Sequence, residues 1–434
     1  MRPSFPAAAR PMRSARRFAP ALALSIVLSA VAPAAGTQPP AAADPAVITT
    51  WNQHALATLT LAPTAGGPGK LPPEVFLYLA FTHAAMYNAV NGITGEYELY
   101  RWNAMAPKGA SPQAAAATAA HRVLRTYFGE LGTIGADLDA KLATSLDAIP
   151  DGVAKDQGVR YGRRAADRII ALRANDGRDA RVSVPAATEP GDWEQTSPAP
   201  FLTPWYGYID PVAVPSVTAF DPGPPPPIGS DLYRTEFIEV RDYGSATSAV
   251  RTAAMEETAR FFAETPVGGM QGALRRFAME HGLDISDSAR LFVAAEFSIA
   301  DALQAVWYAK HKYMWWRPIT AIRRTATDGD PAGDPTWTSL IPAPPYPEWP
   351  SGLCSVIGAV STVASRLNGG ALDLHIVSAT QGERHYIDVD TFHTDAVNAR
   401  VWSGIHFRTA DQISIGIGAS VGNYVLDNLF APAN

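Results

Sequence analysis

The sequence contains a single cysteine, Cys354, among its 434 residues. An intramolecular disulfide is therefore excluded, and so is a zinc site built on several cysteines. Beyond the N-terminal region the chain also lacks any run of about 18 uninterrupted apolar residues, which a membrane-spanning helix needs. The sequence therefore predicts a protein that relies on core packing for its stability and has no membrane span.

Basic residues are concentrated at the N-terminus. Five arginines precede the apolar run APALALSIVLSAVA, and Ala32-Pro33-Ala34 supplies a small-residue cleavage site. This order predicts a signal peptide over residues 1–34, and hence a secreted, periplasmic or other extracytoplasmic location. Its removal leaves 30 basic and 41 acidic side chains, a formal charge near −11. Such a surface argues against nucleic acid and anionic membranes as partners.

Strand signals are few, and helical periodicity dominates. An Ala/Pro-rich linker at 35–48 is expected to be disordered. A first helical bundle (49–176) and a second (230–434) are expected on either side of a Pro/Gly-rich connection (177–229). Helices are predicted at 71–91 (ending near Gly92), 112–128, 134–146, 153–175, 231–243, 248–264, 268–281, 285–313, 352–367, 395–406 and 409–429. The best strand signal, HYIDVDTF (385–392), suggests a short hairpin arm. The predicted class is all-α, with two helical bundles.

The stretch YPEWPSGLC (346–354) runs from prolines into an apolar helix. Ser351 and Gly352 stand where that helix would begin, and a helix N-terminus presents free N–H groups to an anion. This stretch alone fits either an anion cradle or a well-capped helix.

Two further stretches carry cations or an imidazole. In AKHKYMWWRPITAIRR (309–324), Lys310 and Arg317 are seven residues apart, so they would share one helical face before Pro318 ends or kinks the helix. One interpretation is a face exposed to solvent. Alternatively, the adjacent apolar residues MWW indicate that the two cations are partly buried, and buried cations require an anion as partner. In NARVWSGIHFRTAD (398–411), Arg400 and His406 are six apart, and Gly404 could relax the last helical turn; a lone histidine there is often structural.

Taken together, the three stretches are specific. Lys310-x6-Arg317-Pro318, Pro350-Ser351-Gly352 and Arg400-x5-His406 follow one another with 31 and 47 intervening residues. This signature resembles that of the vanadium-dependent haloperoxidases and of the related type 2 phosphatidic acid phosphatase superfamily. Segments such as FTHAAMYNAVNGI and RFFAETP also look like bacterial haloperoxidases, so the resemblance covers most of residues 50–430.

The resemblance implies a fold of two four-helix bundles and a cofactor, vanadate, whose site phosphate could also occupy. Lys310, Arg317 and Arg400 would hold the oxyanion oxygens, while Ser351 and Gly352 would contribute a hydroxyl and a backbone N–H. His406 would be the ligand of vanadium, or the nucleophile on phosphorus in a phosphatase. Lys310, Arg317, Arg400 and His406 would thus form the catalytic set.

The sequence departs from the family pattern at Leu353, where the Pro-Ser-Gly-His motif has its acid–base histidine. Leucine cannot transfer a proton, and the loss of such a group typically costs about 10²–10⁴-fold in rate. His393, Asp395 and His311 are the candidates to replace it. Cys354 could be a thiol activated by nearby cations, but a small buried residue is the favoured interpretation. A divalent-metal site within 385–395 is the less favoured alternative to a solvated strand arm.

Three functions remain open at this stage. The first is an exported peroxidase that oxidises halide with hydrogen peroxide and passes the product to an organic acceptor. The second is a soluble acid phosphatase that uses His406 as its nucleophile. The third is a non-catalytic oxyanion-binding protein, which Leu353 favours. The resemblance also leaves a homo-oligomer open.

Overall fold

The computed structural model describes residues 43–178, 180–324 and 331–433, and the predicted signal peptide (1–34) lies outside them. The α-helices are α1 (Ala46–Thr60), α2 (Glu74–Thr94), α3 (Pro112–Phe128), α4 (Ile134–Asp147), α5 (Val153–Leu172), α6 (Asp231–Tyr243), α7 (Ala253–Glu264), α8 (Gly268–Glu280), α9 (Ile285–Tyr313), α10 (Pro318–Arg323), α11 (Gly352–Leu367), α12 (Val389–Trp402) and α13 (Arg408–Asn428). Two short antiparallel strands, β1 (Leu374–Val377) and β2 (Glu383–Tyr386), complete the described elements. The predicted all-α class is confirmed.

Side-chain caps explain why several helices begin where the sequence predicts. Ser111, Ser230, Thr252 and Asp284 each accept a hydrogen bond from a backbone N–H three residues ahead, at the starts of α3, α6, α7 and α9. Such caps satisfy donors that the first helical turn leaves unpaired. The predicted and observed bounds agree for α3, α6 and α9, whereas α7 begins at Ala253 rather than at 248, directly after its cap.

Helix α9 is the central element of the core. It packs against α2 on one side and against α11 and α13 on the other. It is also the one described helix long and apolar enough to cross a membrane, and 94% of its most apolar window is buried inside the protein. Its burial positions Lys310, one turn from its C-terminal end, deep inside the molecule.

The segment between α5 and α6 is an ordered connection without α-helix. Over its described residues 180–229 it forms two 3₁₀ helices, Pro204–Tyr208 and Val217–Phe220, and buries side chains such as Tyr206 against α9. The division into bundles at 49–176 and 230–434 stays a prediction. Helix α1 begins at Ala46, inside the predicted disordered linker.

Three local predictions are wrong. Helix α2 continues through Gly92, which packs against the ring of Tyr161, and ends instead at Gly95 in the left-handed conformation (φ 72°). The predicted strand arm 385–392 is strand only as far as Tyr386, since Asp388 caps helix α12. Consequently α12 starts at Val389, six residues before its predicted beginning.

The predicted common helical face of Lys310 and Arg317 is also wrong. Helix α9 ends at Tyr313, and Met314 adopts the left-handed conformation (φ 44°). Pro318 does not end a helix but occupies the first position of the short helix α10, where its missing N–H costs nothing. Lys310 and Arg317 therefore reach the same site from two elements rather than from one helical face.

Candidate oxyanion site

Lys310 and Arg317 are held in place by the backbone of the proline-rich segment that precedes α11. Lys310 Nζ donates to the carbonyl oxygens of Pro347 (2.7 Å), Glu348 (3.0 Å) and Pro350 (2.5 Å). Arg317 Nε donates to the carbonyl of Tyr346 at 2.8 Å. Both cations are fully buried, and both lie about 5 Å from the centre of the Tyr346 ring (5.1 and 4.9 Å).

The chain between α12 and α13 places His406 beside Arg317. Helix α12 ends at Trp402, and Gly404 turns the backbone with φ 77°; a side chain at Gly404 would lie 2.4 Å from the carbonyl oxygen of Gly244. His406 therefore lies in a loop rather than on a helical face, which explains how two residues six apart converge. Arg317 Nη1 lies 3.1 Å from His406 Nε2 and also donates to the Ile405 carbonyl at 2.8 Å.

Glu348 orients the imidazole of His406. Its Oε1 accepts a hydrogen bond from the Phe407 backbone N–H (3.0 Å) and lies 2.9 Å from His406 Nδ1. Since Arg317 can only donate, this pattern assigns the proton to Nδ1 and leaves the lone pair on Nε2. An imidazole so fixed presents Nε2 as a nucleophile or metal ligand.

A cavity of about 200 Å³ is lined by part of the predicted site, whereas Lys310, Arg317 and Ser351 are not among its lining residues. Gly352, Leu353, Arg400 and His406 line it. Apolar side chains form most of the remaining wall: Phe76, Phe262, Leu303, Trp307, Ile341, Val356 and Ile405. Ser351 is the N-cap of α11 next to Gly352, as the proline-rich sequence predicts.

Several buried polar atoms at this site have no hydrogen-bond partner within the described part of the chain. Two are guanidinium nitrogens that can only donate, Arg317 Nη2 and Arg400 Nε, and one is an acceptor, Glu348 Oε2. The Ser351 hydroxyl instead faces Asp411 and hydrogen-bonds with its carboxyl group. Buried polar groups are normally paired, so two unpaired guanidinium donors on residues of one motif set indicate a place for a ligand that accepts hydrogen bonds.

Burial shifts the protonation equilibria of the site. Burial and then the charge of Arg317 hold the pKa of Lys310 well below its usual value, and burial lowers the pKa of Arg317 to about 10. The pKa of His406 falls well below 6.5 because of its burial and the charges of Arg317, Lys310 and Arg400. These three directions share a cause, which is positive charge concentrated in a place that water does not reach.

Sequence reasoning missed the two carboxylates of the site. These are Glu348 and Asp411, the latter in the first turn of α13. Burial raises the pKa of Glu348 to about 8 and the pKa of Asp411 to about 7. Cys354 Sγ lies 3.4 Å from Asp411 Oδ1, and burial raises the thiol's pKa well above its usual value. Cys354 is fully buried, which agrees with the favoured interpretation as a small buried residue.

None of the three candidates to replace the missing histidine lines the cavity. His393 contacts the Ser361 hydroxyl at 2.8 Å, eight residues along α11 from Leu353, or about 12 Å of helix. His311 contacts the Tyr208 hydroxyl and the Ser183 carbonyl, and Asp395 accepts from the Tyr386 hydroxyl.

Comparison with known proteins agrees with this geometry. The family described as "VCPO second helical-bundle domain" matches residues 290–433, a range that contains every residue of the three motifs. Vanadium chloroperoxidase of Curvularia inaequalis is 35% identical over 96 residues, which are 20% of this chain and 15% of that protein. Over this range the chain is similar to the vanadium-dependent haloperoxidases.

Two solved haloperoxidases share the fold. A bacterial vanadium-dependent iodoperoxidase superposes with a TM-score of 0.73 over 90% of this chain and 96% of its own, at 20% identity. A holo-type bacterial vanadium-dependent chloroperoxidase superposes with a TM-score of 0.64 over 89% of this chain and 97% of its own, at 17% identity. The haloperoxidase fold thus extends through both helical regions, beyond the range that the family description matches.

Proposed function

We propose that this protein binds vanadate in the cavity beside His406 and oxidises halide with hydrogen peroxide. The observation that carries the proposal is the pair of buried, unpartnered guanidinium nitrogens on Arg317 and Arg400. A tetrahedral oxyanion accepts hydrogen bonds in several directions, and charge-assisted bonds to it are the strong ones. The haloperoxidase relatives support vanadate as this oxyanion.

The residues present fit the cofactor. Lys310, Arg317 and Arg400 supply positive charge, the α11 N-terminus at Ser351 and Gly352 adds its dipole, and His406 Nε2 offers a nitrogen ligand. Bound vanadate would supply a Lewis acid that polarises hydrogen peroxide for attack by halide without changing its own oxidation state.

The protein's own groups divide the remaining work. Glu348 holds His406 in the tautomer that leaves Nε2 unprotonated, where Arg317 Nη1 now donates to it, and the three backbone carbonyls fix Lys310 as a stationary charge. The apolar wall lowers the local dielectric, which strengthens these interactions. Proton transfer is the weak point, because Leu353 stands where the family has histidine, and the residues lining the cavity include no carboxylate and no second histidine.

A second candidate is oxyanion binding without turnover, and Leu353 is the observation that favours it. Phosphate would then be as suitable a ligand as vanadate, since both are tetrahedral oxyanions. A phosphatase that uses His406 as nucleophile is less well supported, because the leaving alcohol needs a proton donor and the same cavity lining offers no carboxylic acid or second imidazole for that role.

The test is a binding and activity comparison on the purified chain. Vanadate affinity is measured by titration calorimetry, bromide and iodide oxidation with peroxide on the vanadate-loaded protein, and p-nitrophenyl phosphate hydrolysis on the vanadate-free protein. Arg400→Gln removes one unpartnered donor. Arg366→Gln, at the far end of α11 where its guanidinium pairs with Asp427, is the matched control.

We expect Arg400→Gln to weaken vanadate binding by roughly tenfold or more, the loss of one charge-assisted hydrogen bond, with the control unchanged. Equal affinity in the two variants would contradict the assigned site. Binding without halide oxidation would instead support the second candidate, and hydrolysis without oxidation would support the phosphatase.

A further inference from the structure

A second cluster of polar side chains lies on the β-hairpin, away from the oxyanion site. His375 of β1 and His385 of β2 are direct cross-strand partners in the antiparallel register. Their rings stack with centroids 3.7 Å apart and an interplanar angle of 13°. Cross-strand partners point to the same face of a sheet, so this pairing fixes two imidazoles side by side.

Asp373, immediately before β1, joins the two histidines. Its Oδ1 lies 2.6 Å from His385 Nε2 and 4.0 Å from His375 Nε2. Glu280, at the end of α8, places Oε2 3.8 Å from the same His375 nitrogen. His375 Nε2 thus faces two carboxylates at distances too long for a hydrogen bond. One ligand atom from each of Asp373, His375 and His385 lies within 4.8 Å of the others.

The groups around the cluster orient these side chains. Glu383 Oε1 lies 2.8 Å from His375 Nδ1, which places the proton on Nδ1 and frees Nε2 for a ligand. Arg276 holds Glu383 in turn through a 2.6 Å hydrogen bond, and His281 Nε2 lies 3.1 Å from the second oxygen of Asp373. A carboxylate behind a ligating imidazole is the usual surrounding of a histidine metal site.

We propose that Asp373, His375 and His385 bind one divalent transition-metal ion, with zinc as the physiological candidate. Imidazole nitrogens with a carboxylate oxygen suit zinc, which bonds to both at about 2.0–2.2 Å. With neutral histidines, three carboxylates face a single arginine, so the cluster carries a net charge near −2 that favours a cation. The ion would join β1 to β2 and to the residue directly before β1.

The sequence places this site only in part. A metal site within 385–395 includes His385, but its partners come from the preceding strand. Asp388 instead caps α12, and His393 contacts Ser361.

The experiment uses the purified full chain with any affinity tag removed and the metal stripped by a chelator. Zinc binding is measured by titration calorimetry, and cobalt(II) is added separately because its visible absorption reports coordination geometry. The double variant His375→Gln/His385→Gln removes both imidazoles, and Asp373→Asn removes the charge at nearly constant size. His121→Gln is the matched control, since His121 also pairs with an aspartate, Asp139, at 2.7 Å but lies on α3 rather than on the hairpin.

We expect one zinc per chain, and a melting temperature that rises with zinc in the parent and the control. Asp373→Asn should weaken binding by about 10–100-fold, and the double variant should abolish the rise in melting temperature. Failure of the parent to bind zinc more tightly than the double variant would overturn the proposal, as would an equal loss in the His121→Gln control. All four proteins should show the same metal-free melting temperature to within a few degrees, because the replaced side chains are partly or fully exposed.

Discussion

Replacement of Leu353 by histidine tests whether proton transfer is what this site lacks. Leu353 is 9% exposed and lines the 200 Å³ cavity together with Arg400 and His406. Leucine and histidine have similar volumes, and the cavity leaves room for the imidazole to choose a rotamer. Burial and the nearby arginine would both lower the pKa of that imidazole, so it would be neutral, and able to accept a proton, at neutral pH.

The expected gain follows from what surrounds position 353. General acid–base catalysis contributes about 10²–10⁴-fold, and the upper end requires an oriented base. No carboxylate among the lining residues could orient the new imidazole, so we expect the lower end, about 10²-fold, which is about 2.7 kcal/mol in the activation free energy. Burying the ring without a partner should cost about 1–3 kcal/mol of folding stability.

The assay measures halide oxidation by peroxide and, separately, the dissociation constant of vanadate. Leu353→Gln is the control, because it adds polarity at similar size without a group that exchanges protons. The parent rate should increase with pH, since peroxide deprotonation must then rely on hydroxide. A Leu353→His variant that binds vanadate as the parent does and oxidises halide no faster than Leu353→Gln would refute the reasoning. A parent that already oxidises bromide rapidly would also refute it.

Three further predictions concern the frame around the site. Gly418→Ala should destabilise the protein by about 1–3 kcal/mol, because the added carbon would lie 2.0 Å from a backbone oxygen of α11. Gly416→Ala should stabilise it by about 0.5–1 kcal/mol, because no described atom of a neighbouring element lies within 4 Å of the added carbon. Urea unfolding measures both changes. Burial raises the pKa of Asp411 to about 7, so this group should lower the unfolding free energy of the parent by up to a few kcal/mol as pH rises from about 4 to 7. Unfolding curves at several pH values should show that Asp411→Asn lacks this contribution. Burial likewise raises the pKa of Glu296 to about 8, so its carboxyl group is mostly neutral at pH 7, and Glu296→Gln should change the unfolding free energy there by less than about 1 kcal/mol. Gln271→Ala removes the hydrogen bond that Gln271 donates to Glu296 and should cost about 2 kcal/mol.

Helix positions could be predicted from the sequence wherever a local signal marks them. Ser111 and Asp284 cap helices whose first residues periodicity also indicates. The errors have tertiary causes. Gly92 predicts the end of a helix because glycine often ends one. In the structure the helix continues, and glycine is required there because a side chain would collide with the Tyr161 ring. The break at Met314 has no glycine or proline at the residue itself, and the contacts of the following segment with the backbone near Gly191 accompany it.

The motif residues could be predicted to share one site because their spacing is specific, but the two carboxylates could not be predicted. No motif position marks Glu348 within YPEWPSGLC, and only the folded structure shows that its carboxylate contacts His406. One sequence signal could have indicated Glu348. It is an acidic residue between two prolines directly before a predicted anion site, where its carboxylate has little access to water. Asp411 carries no such signal, since it enters the site through the packing of α13 on α11.

The two carboxylates imply that oxyanion binding takes up protons. Lys310, Arg317 and Arg400 face Glu348 and Asp411, and the neutral His406 adds no charge, so the site carries a net charge near +1 when both acids are ionised. A dianion placed among these cations repels both carboxylates, which raises pKa values that burial has already brought to about 8 and 7. Near pH 7.5 binding should therefore protonate one of the acids, and affinity should fall as pH rises above about 8. Titration calorimetry in two buffers of different ionisation enthalpy measures the uptake, corrected for the ionisation of the ligand itself. Equal corrected heats in the two buffers would show that Glu348 and Asp411 keep their charge, and that the site accommodates the anion by electrostatic attraction from the cations alone.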